Sequence, residues 1–249
     1  MELKTDKMLA HVDNGIGWIT FNNPARRNAI SLEMWDGLAT SLESFQHDDE
    51  VRVVVMLGAG DQAFVSGADI SEFDTKRGTA AQKETYGKTM SAANRWLTRM
   101  DKPMIAMIQG YCIGGGLATA LSADLRFATP DSTFGIPAAR LGLGYEYEGL
   151  VRLCHLVGPA RAKDIMFSAR YMGADEALAM GLINRICEVD KIEQEVRDYA
   201  AIVTANAPLT VKAAKAAINE AALDPEHRNM EAVRSMIDAC FDSEDYKEG

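Results

Sequence analysis

Two segments, Val51–Leu57 and Pro103–Ile108, are almost wholly apolar, and they constrain the fold more than any other feature of the chain. A strand with one wet face alternates apolar and polar residues. An unbroken apolar run belongs to a strand covered on both faces, as in a parallel sheet. Glycines close both runs, at Gly58-Ala59-Gly60 and at Gly110. Helical periodicity fills the intervals. Ser31 is a good N-cap for a helix to about Gln46, with Leu32, Trp35, Leu38, Leu42 and Phe45 at helical spacing. A second helix is expected from about Ala81 to Met100, and Gly114-Gly115-Gly116 opens a third through about Ser122. Leu125–Ala128 predicts a third short strand. Strand, loop and helix recurring with glycines at the junctions is the rhythm of an α/β chain.

The two ends read differently. Met8–Val12 and Ile16–Phe21 flank Asp13-Asn14-Gly15, a hairpin signal, whereas residues 61–82 read as loop. After Gly158 the sequence is mostly helical, with Pro159–Phe167, Ala174–Met180, Ile192–Asn206, Pro208–Leu223 and Arg228–Phe241 carrying apolar residues three and four apart. The expected organisation is a mixed core over residues 1–190 and a helical tail over 191–249, whose apolar stripes serve the core or another subunit.

Composition excludes several function classes. The chain of 249 residues buries roughly three-quarters of its unfolded surface and needs no disulfides. Its four cysteines form no CxxC pair, and its four histidines show no zinc-site spacing, so neither a disulfide framework nor a metal site is expected. A net charge of −10 argues against a nucleic-acid partner, although a helix N-terminus or a few basic residues can still hold a phosphate-bearing small molecule. Neither a leader peptide nor an apolar run of the ~18 residues that span a bilayer is recognisable, which places the expected location in the cytoplasm.

Two glycine-bearing segments stand out chemically: Phe64-Val65-Ser66-Gly67-Ala68-Asp69-Ile70, and Gly110-Tyr111-Cys112-Ile113-Gly114-Gly115-Gly116. Consecutive glycines at a helix start leave amide N–H groups unpaired and unshielded, at the positive end of the helix dipole. They serve either tight strand–helix packing or, if the amides of Ala68 and Gly115 face one point, an oxyanion hole.

The ordered set of motifs resembles the crotonase (enoyl-CoA hydratase/isomerase) superfamily over essentially the whole chain. It comprises Asn23-Pro24 with Asn28-Ala29, Phe64-x-x-Gly67-Ala68-Asp69-Ile70, and Lys102-Pro103 leading to Gly110-Tyr111-x-x-Gly114-Gly115-Gly116. Asp124, Phe134-Gly135-x-Pro137, Leu141-Gly142, Gly173-Ala174 and Ala177 with Gly181-Leu182-Ile183 continue it. The resemblance implies a spiral of ββα units with a helical C-terminal trimerisation region, assembled as a homotrimer or a dimer of trimers. It implies that Ala68 and Gly115 hold the oxygen of an acyl-CoA thioester and stabilise its enolate. CoA contacts are implied along Arg26, Arg27, Ala29, Ser66, Ala68, Asp69, Ile70, Gly114 and Gly115, with CoA arriving as part of the substrate and no separate cofactor. The basic C-terminal segment common in the family is not seen in Asp245-Tyr246-Lys247-Glu248-Gly249.

The chain departs from its relatives where water addition is performed. The two glutamates of family hydratases correspond here to Ala118 and Ala138, and a methyl group moves no proton. The replacement candidates lie in Tyr145-Glu146-Tyr147-Glu148. Isomerases of the family carry an aspartate at the position of Glu146, and methylmalonyl-CoA decarboxylase a tyrosine at that of Tyr145. The expectation is an enoyl- or dienoyl-CoA isomerase using Glu146 as proton shuttle. The alternatives are a decarboxylase or C–C hydrolase using Tyr145, a hydratase with non-standard carboxylates, and a non-catalytic acyl-CoA binder; Glu148 is a lesser candidate for the chemical residue. No Ser-His-Asp set supports a serine hydrolase.

Overall fold

The computed structural model describes residues 3–72, 78–145 and 147–248. The chain opens with the expected hairpin, β1 (Met8–Asp13) and β2 (Ile16–Phe21), turned by Asn14 and Gly15, both at positive φ. Helix α1 (Leu32–His47) follows, with the Ser31 hydroxyl accepting from the Met34 amide. Then come β3 (Val53–Gly58), β4 (Ala63–Val65), α2 (Ala80–Arg99), β5 (Met104–Ile108), β6 (Tyr111–Ile113), α3 (Gly115–Ala120), β7 (Leu125–Ala128) and β8 (Thr133–Gly135). The remainder is α4 (Tyr147–Ser168), β9 (Met172–Gly173), α5 (Ala174–Ala179), β10 (Arg185–Ile186), α6 (Ile192–Thr204), α7 (Pro208–Ala221), α8 (Met230–Phe241) and α9 (Glu244–Glu248). Helix α4 breaks at Gly158, whose φ of 79° no α-helix contains.

The strands sort into two sheets, in the orders β1-β2-β3-β5-β7-β10 and β4-β6-β8-β9. Apart from the β1–β2 and β8–β9 pairs, every pairing is parallel. The pairs β3–β4, β5–β6 and β7–β8 therefore each place one strand in the large sheet and the next in the small one. The chain advances as a spiral of ββ steps. The buried runs behave as their composition requires. Val54 and Met56 join the main core with α1 and α2, while Val53 and Val55 face a second core closed by Ile192, Val196 and Ala200 of α6.

Five short strands, β4, β6, β8, β9 and β10, go beyond the sequence reading, which treated residues 61–82 as loop and Gly110–Gly116 as a turn. Each is two or three residues long, below the length at which alternation can be detected, and each is fixed by pairing with distant chain. The step from β3 to β4 is tight. A Cβ on Gly58 would collide with the Ala63 and Phe64 carbonyl oxygens, and the buried Asn28 side chain donates to the carbonyls of Ala59 (3.0 Å) and Ala63 (2.7 Å).

The Lys102-Pro103 and Asp124 motifs are structural. Lys102 Nζ donates to the Phe45 carbonyl in the last turn of α1 and to that of its C-cap Asp48, and burial lowers its pKa. Asp124 Oδ2 accepts from the Met104 amide and from Lys215 Nζ (both 2.7 Å), and Lys215 also donates to the Lys102 carbonyl, docking α7 onto the core. Beyond that latch, Ala213 and Val233 are buried, whereas Ile202, Ile218 and Phe241 are more than half exposed. Among the described residues no helix is long and apolar enough to cross a membrane.

Candidate active site

The site is built from main chain. Past β4 the chain turns through Gly67, at φ 121°, to Ala68, which forms a parallel bridge with Ile30: the Ile30 amide donates to the Gly67 carbonyl (2.8 Å) and the Asp69 amide to the Ile30 carbonyl (2.9 Å). The C=O and N–H of a trans peptide point to opposite sides. With Gly67 and Asp69 committed to Ile30, the Ala68 N–H points the other way.

On that other side α3 begins. Gly114, at φ 57° and ψ −117°, turns the chain from β6 into the helix, and its amide donates to the Gly135 carbonyl (2.8 Å). A Cβ on Gly116 would collide with the Val65 carbonyl, so the first turn of α3 lies directly on β4. A Cβ on Gly115 would stand 3.8 Å from the Ala68 nitrogen. The Gly115 N–H belongs to the first turn of a helix and has no intrahelical acceptor. Among the described residues, neither it nor the Ala68 N–H reaches a protein acceptor. Two unpaired donors thus lie together at a helix start, an arrangement suited to an oxygen that gains negative charge.

The expected CoA segment flanks this pair. Pro24–Arg26 form a 3-10 turn, and Arg27 and Asn28 then take left-handed conformations. Ser66 binds both sides of it, its amide donating to the Arg27 carbonyl (3.1 Å) and its hydroxyl to the Arg26 carbonyl (3.3 Å). Arg26 and Arg27 are exposed and Ala29 is buried. Asp69 Oδ1 accepts from the Ser71 amide and hydroxyl, and Ile70 is 68% exposed. Two further contacts carry no local signal, because their partners are remote in the chain. The Arg27 guanidinium lies over the Tyr111 ring (5.1 Å), and Glu72 Oε2 accepts from the Leu32 amide (2.8 Å), tying the stretch after Ala68 to the start of α1.

Ala118 is half-buried on α3, and Ala138 is buried in the 3-10 turn Pro137–Leu141 that follows Gly135. Tyr145 packs against Gly149, whose Cβ would stand 2.9 Å from its ring. Burial pushes the Tyr145 phenol up to about 12, with Cys112 adding to the effect, so at neutral pH it is an uncharged donor. Glu146 and the side chain of Glu148 lie outside the described residues.

The model of the enoyl-CoA hydratase/isomerase family matches residues 11–249. The chain belongs to the enoyl-CoA hydratase/isomerase family.

Its two-sheet spiral is the crotonase fold of that family. A solved enoyl-CoA hydratase/carnithine racemase from Magnetospirillum magneticum is 37% identical, with a TM-score of 0.91 over 99% of this chain and 91% of that one. The short-chain-enoyl-CoA hydratase of Clostridium acetobutylicum is 31% identical over 246 residues, 99% of this chain and 94% of that protein. The carnitinyl-CoA dehydratase of Salmonella typhi is 29% identical over 235 residues, covering 93% of this chain and 88% of its own. The relatives named here are thus a hydratase/carnithine racemase, a hydratase and a dehydratase, while this member carries methyl groups at Ala118 and Ala138.

Proposed function

We propose that this family member binds an acyl-CoA thioester, holds its carbonyl oxygen on the amides of Ala68 and Gly115, and stabilises the enolate formed when the acyl chain loses a proton. The observation that carries the reading is the placement of the two unpaired amides: the Ala68 N–H turned away from Ile30, and the start of α3 beside it. In such a site each donor contributes on the order of 10²–10³ in rate, by meeting charge that develops on the oxygen. The thioester is itself the electron sink, so the chemistry calls for no separate cofactor. Arg26 and Arg27, on the segment held by Ser66, are the proposed partners of the CoA phosphates, with Ala29, Asp69, Ile70 and Gly114 completing the channel.

The proposed reaction follows from the residues the chain offers for moving a proton. With Ala118 and Ala138 unable to activate water, the proposed reaction is isomerisation of an enoyl- or dienoyl-CoA. Glu146 takes a proton from one carbon, electrons pass into the thioester carbonyl, and the same carboxyl returns a proton at another carbon. An enoyl-CoA panel in D₂O tests this: deuterium enters the acyl chain with the wild type. Undiminished exchange and turnover in Glu146→Gln overturns the assignment of the base.

One observation favours a second reading. The Tyr145 phenol is uncharged and half-buried beside the start of α4, as a group orienting a leaving carboxylate would be. In that case the substrate supplies its own leaving group, and CO₂ is released from a malonyl-type acyl-CoA. Assembly as a trimer or dimer of trimers through the tail is part of the same proposal, supported by the exposed Ile218 and Phe241.

A further inference from the structure

Gly135 stands where the small sheet ends. On one side it pairs with Ile113 of β6, and its carbonyl accepts from the Gly114 amide (2.8 Å). On the other side the β8–β9 pairing stops at Phe134 and Met172. There Tyr171, the residue before β9, takes over with its ring. A Cβ on Gly135 would stand 2.6 Å from Tyr171 Cδ1 and 2.9 Å from the Arg170 carbonyl oxygen, too close for any side chain. The ring therefore lies directly on the Gly135 backbone, supplying the packing that a strand glycine lacks.

The ring is itself held in place. The guanidinium of Arg140, exposed on the 3-10 turn that opens just beyond Gly135, lies over it at 5.5 Å from its centre. A cation at that distance is attracted to the electron-rich face of the ring. Tyr171 is 47% exposed, so neither contact fills a core.

Both contacts bear on the oxygen site through Gly114. This residue, at φ 57° and ψ −117°, swings the chain from β6 into α3 and so sets the direction of the Gly115 N–H. Among the described residues, a Cβ on Gly114 would meet nothing within 4 Å, so its own surroundings do not restrain it. The Gly115 peptide is held instead from its two ends: by Gly116 on the Val65 backbone, and by the Gly114 amide on the Gly135 carbonyl.

We infer that Tyr171, pinned by Arg140, is a positioning residue for the Gly115 amide. Its ring steadies Gly135, Gly135 anchors Gly114, and Gly114 aims the donor that meets the thioester oxygen. This rests on the proposed acyl-CoA chemistry. Without the ring the Gly114 anchor loosens, and a donor off its line stabilises the enolate less. Thioester binding, which draws on the segments at Arg26–Ala29 and Ser66–Ile70, is little changed.

The test uses Tyr171→Ala, Tyr171→Phe and Arg140→Gln in the full chain. Acyl-proton exchange in D₂O is measured at saturating and limiting enoyl-CoA, together with the absorbance of bound para-dimethylaminocinnamoyl-CoA. That chromophore shifts to the red as its carbonyl is polarised, so it reports on the two amides without turnover. Tyr171→Ala is expected to lower kcat for exchange roughly 10- to 100-fold and to shrink the red shift, with KM within about threefold of wild type. Arg140→Gln falls between, and Tyr171→Phe, which keeps the ring under the guanidinium, recovers both readouts. Should Tyr171→Ala fail to fold, the red shift in Arg140→Gln decides: reduced, it supports the assignment, and unchanged, it overturns it. A wild-type red shift and kcat retained in Tyr171→Ala, a loss carried by KM alone, or a Tyr171→Phe as impaired as Tyr171→Ala also overturns it. A wild type that neither exchanges acyl protons nor shifts the chromophore overturns the proposed function and this inference with it.

Discussion

Gly116 and Val65 meet backbone to backbone: a Cβ on the glycine would collide with the carbonyl carbon and oxygen of Val65. The neighbouring Gly115 meets nothing closer than the Ala68 nitrogen at 3.8 Å. Two adjacent glycines thus serve different ends, and substitutions separate them. Gly116→Ala forces α3 off β4, and thermal denaturation is expected to show a loss of about 1–3 kcal/mol or more. Gly115→Pro removes one N–H at a helix position that tolerates proline, so the melting temperature stays near wild type while turnover falls ~10²–10³-fold. Equal stability losses in the two variants would contradict this division.

Asn28 does two jobs at once. It holds a left-handed backbone, and its side chain donates to the carbonyls of Ala59 and Ala63 while accepting from the Asn23 amide. Asn28→Ala loses both and is expected to cost about 3 kcal/mol in urea denaturation. Asn28→Gly restores only the conformational freedom, and should recover roughly 1 kcal/mol of it.

Tyr145 predicts an alkaline limit to stability. Its folded pKa of about 12 lies above the unfolded value near 10, so above pH 10 the unfolded chain releases a proton that the folded protein keeps. The contribution is fully present below about pH 10 and is lost as pH rises through 12. Chemical denaturation of the wild type and Tyr145→Phe across pH 8–12 checks it, and the phenylalanine variant should show the shallower decline. Identical slopes count against a desolvated phenol.

The proposed loss of water addition through Ala118 and Ala138 is testable by restoration. Placing carboxyls at both positions, Ala118→Glu with Ala138→Glu, is expected to raise hydration of a short enoyl-CoA by about 10² or more over the parent, while either single substitution gives little. The assay is loss of enoyl absorbance. No gain in the double variant would mean that the missing carboxyls are not what limits hydration.

What could be read from the sequence had local causes. The Ser31 cap, the 3- and 4-residue spacing of α1 and α2, the Asn14-Gly15 turn and the two buried runs each announce themselves within a dozen residues. Strands β4, β6 and β8 do not, because three residues carry no period and their pairing is settled by other turns of the spiral. The site divides in the same way. The glycines and the order of motifs pointed to Ala68 and Gly115, but the direction of the Ala68 amide is dictated by its bridge to Ile30. The stacking of Arg27 on Tyr111 and the hydrogen bonds from Arg152 to the Ser122 and Thr98 hydroxyls likewise join segments that only the folded chain brings together.

The lysine latch bears on the order in which the molecule assembles. Lys215 docks on the Lys102 carbonyl and the Asp124 carboxylate, which flank β5 and β7 and come side by side only when those strands have paired. Helix α7 has no landing site before then. The C-terminal arm is therefore expected to close last, with its protection from hydrogen exchange appearing only after that of β5 and β7.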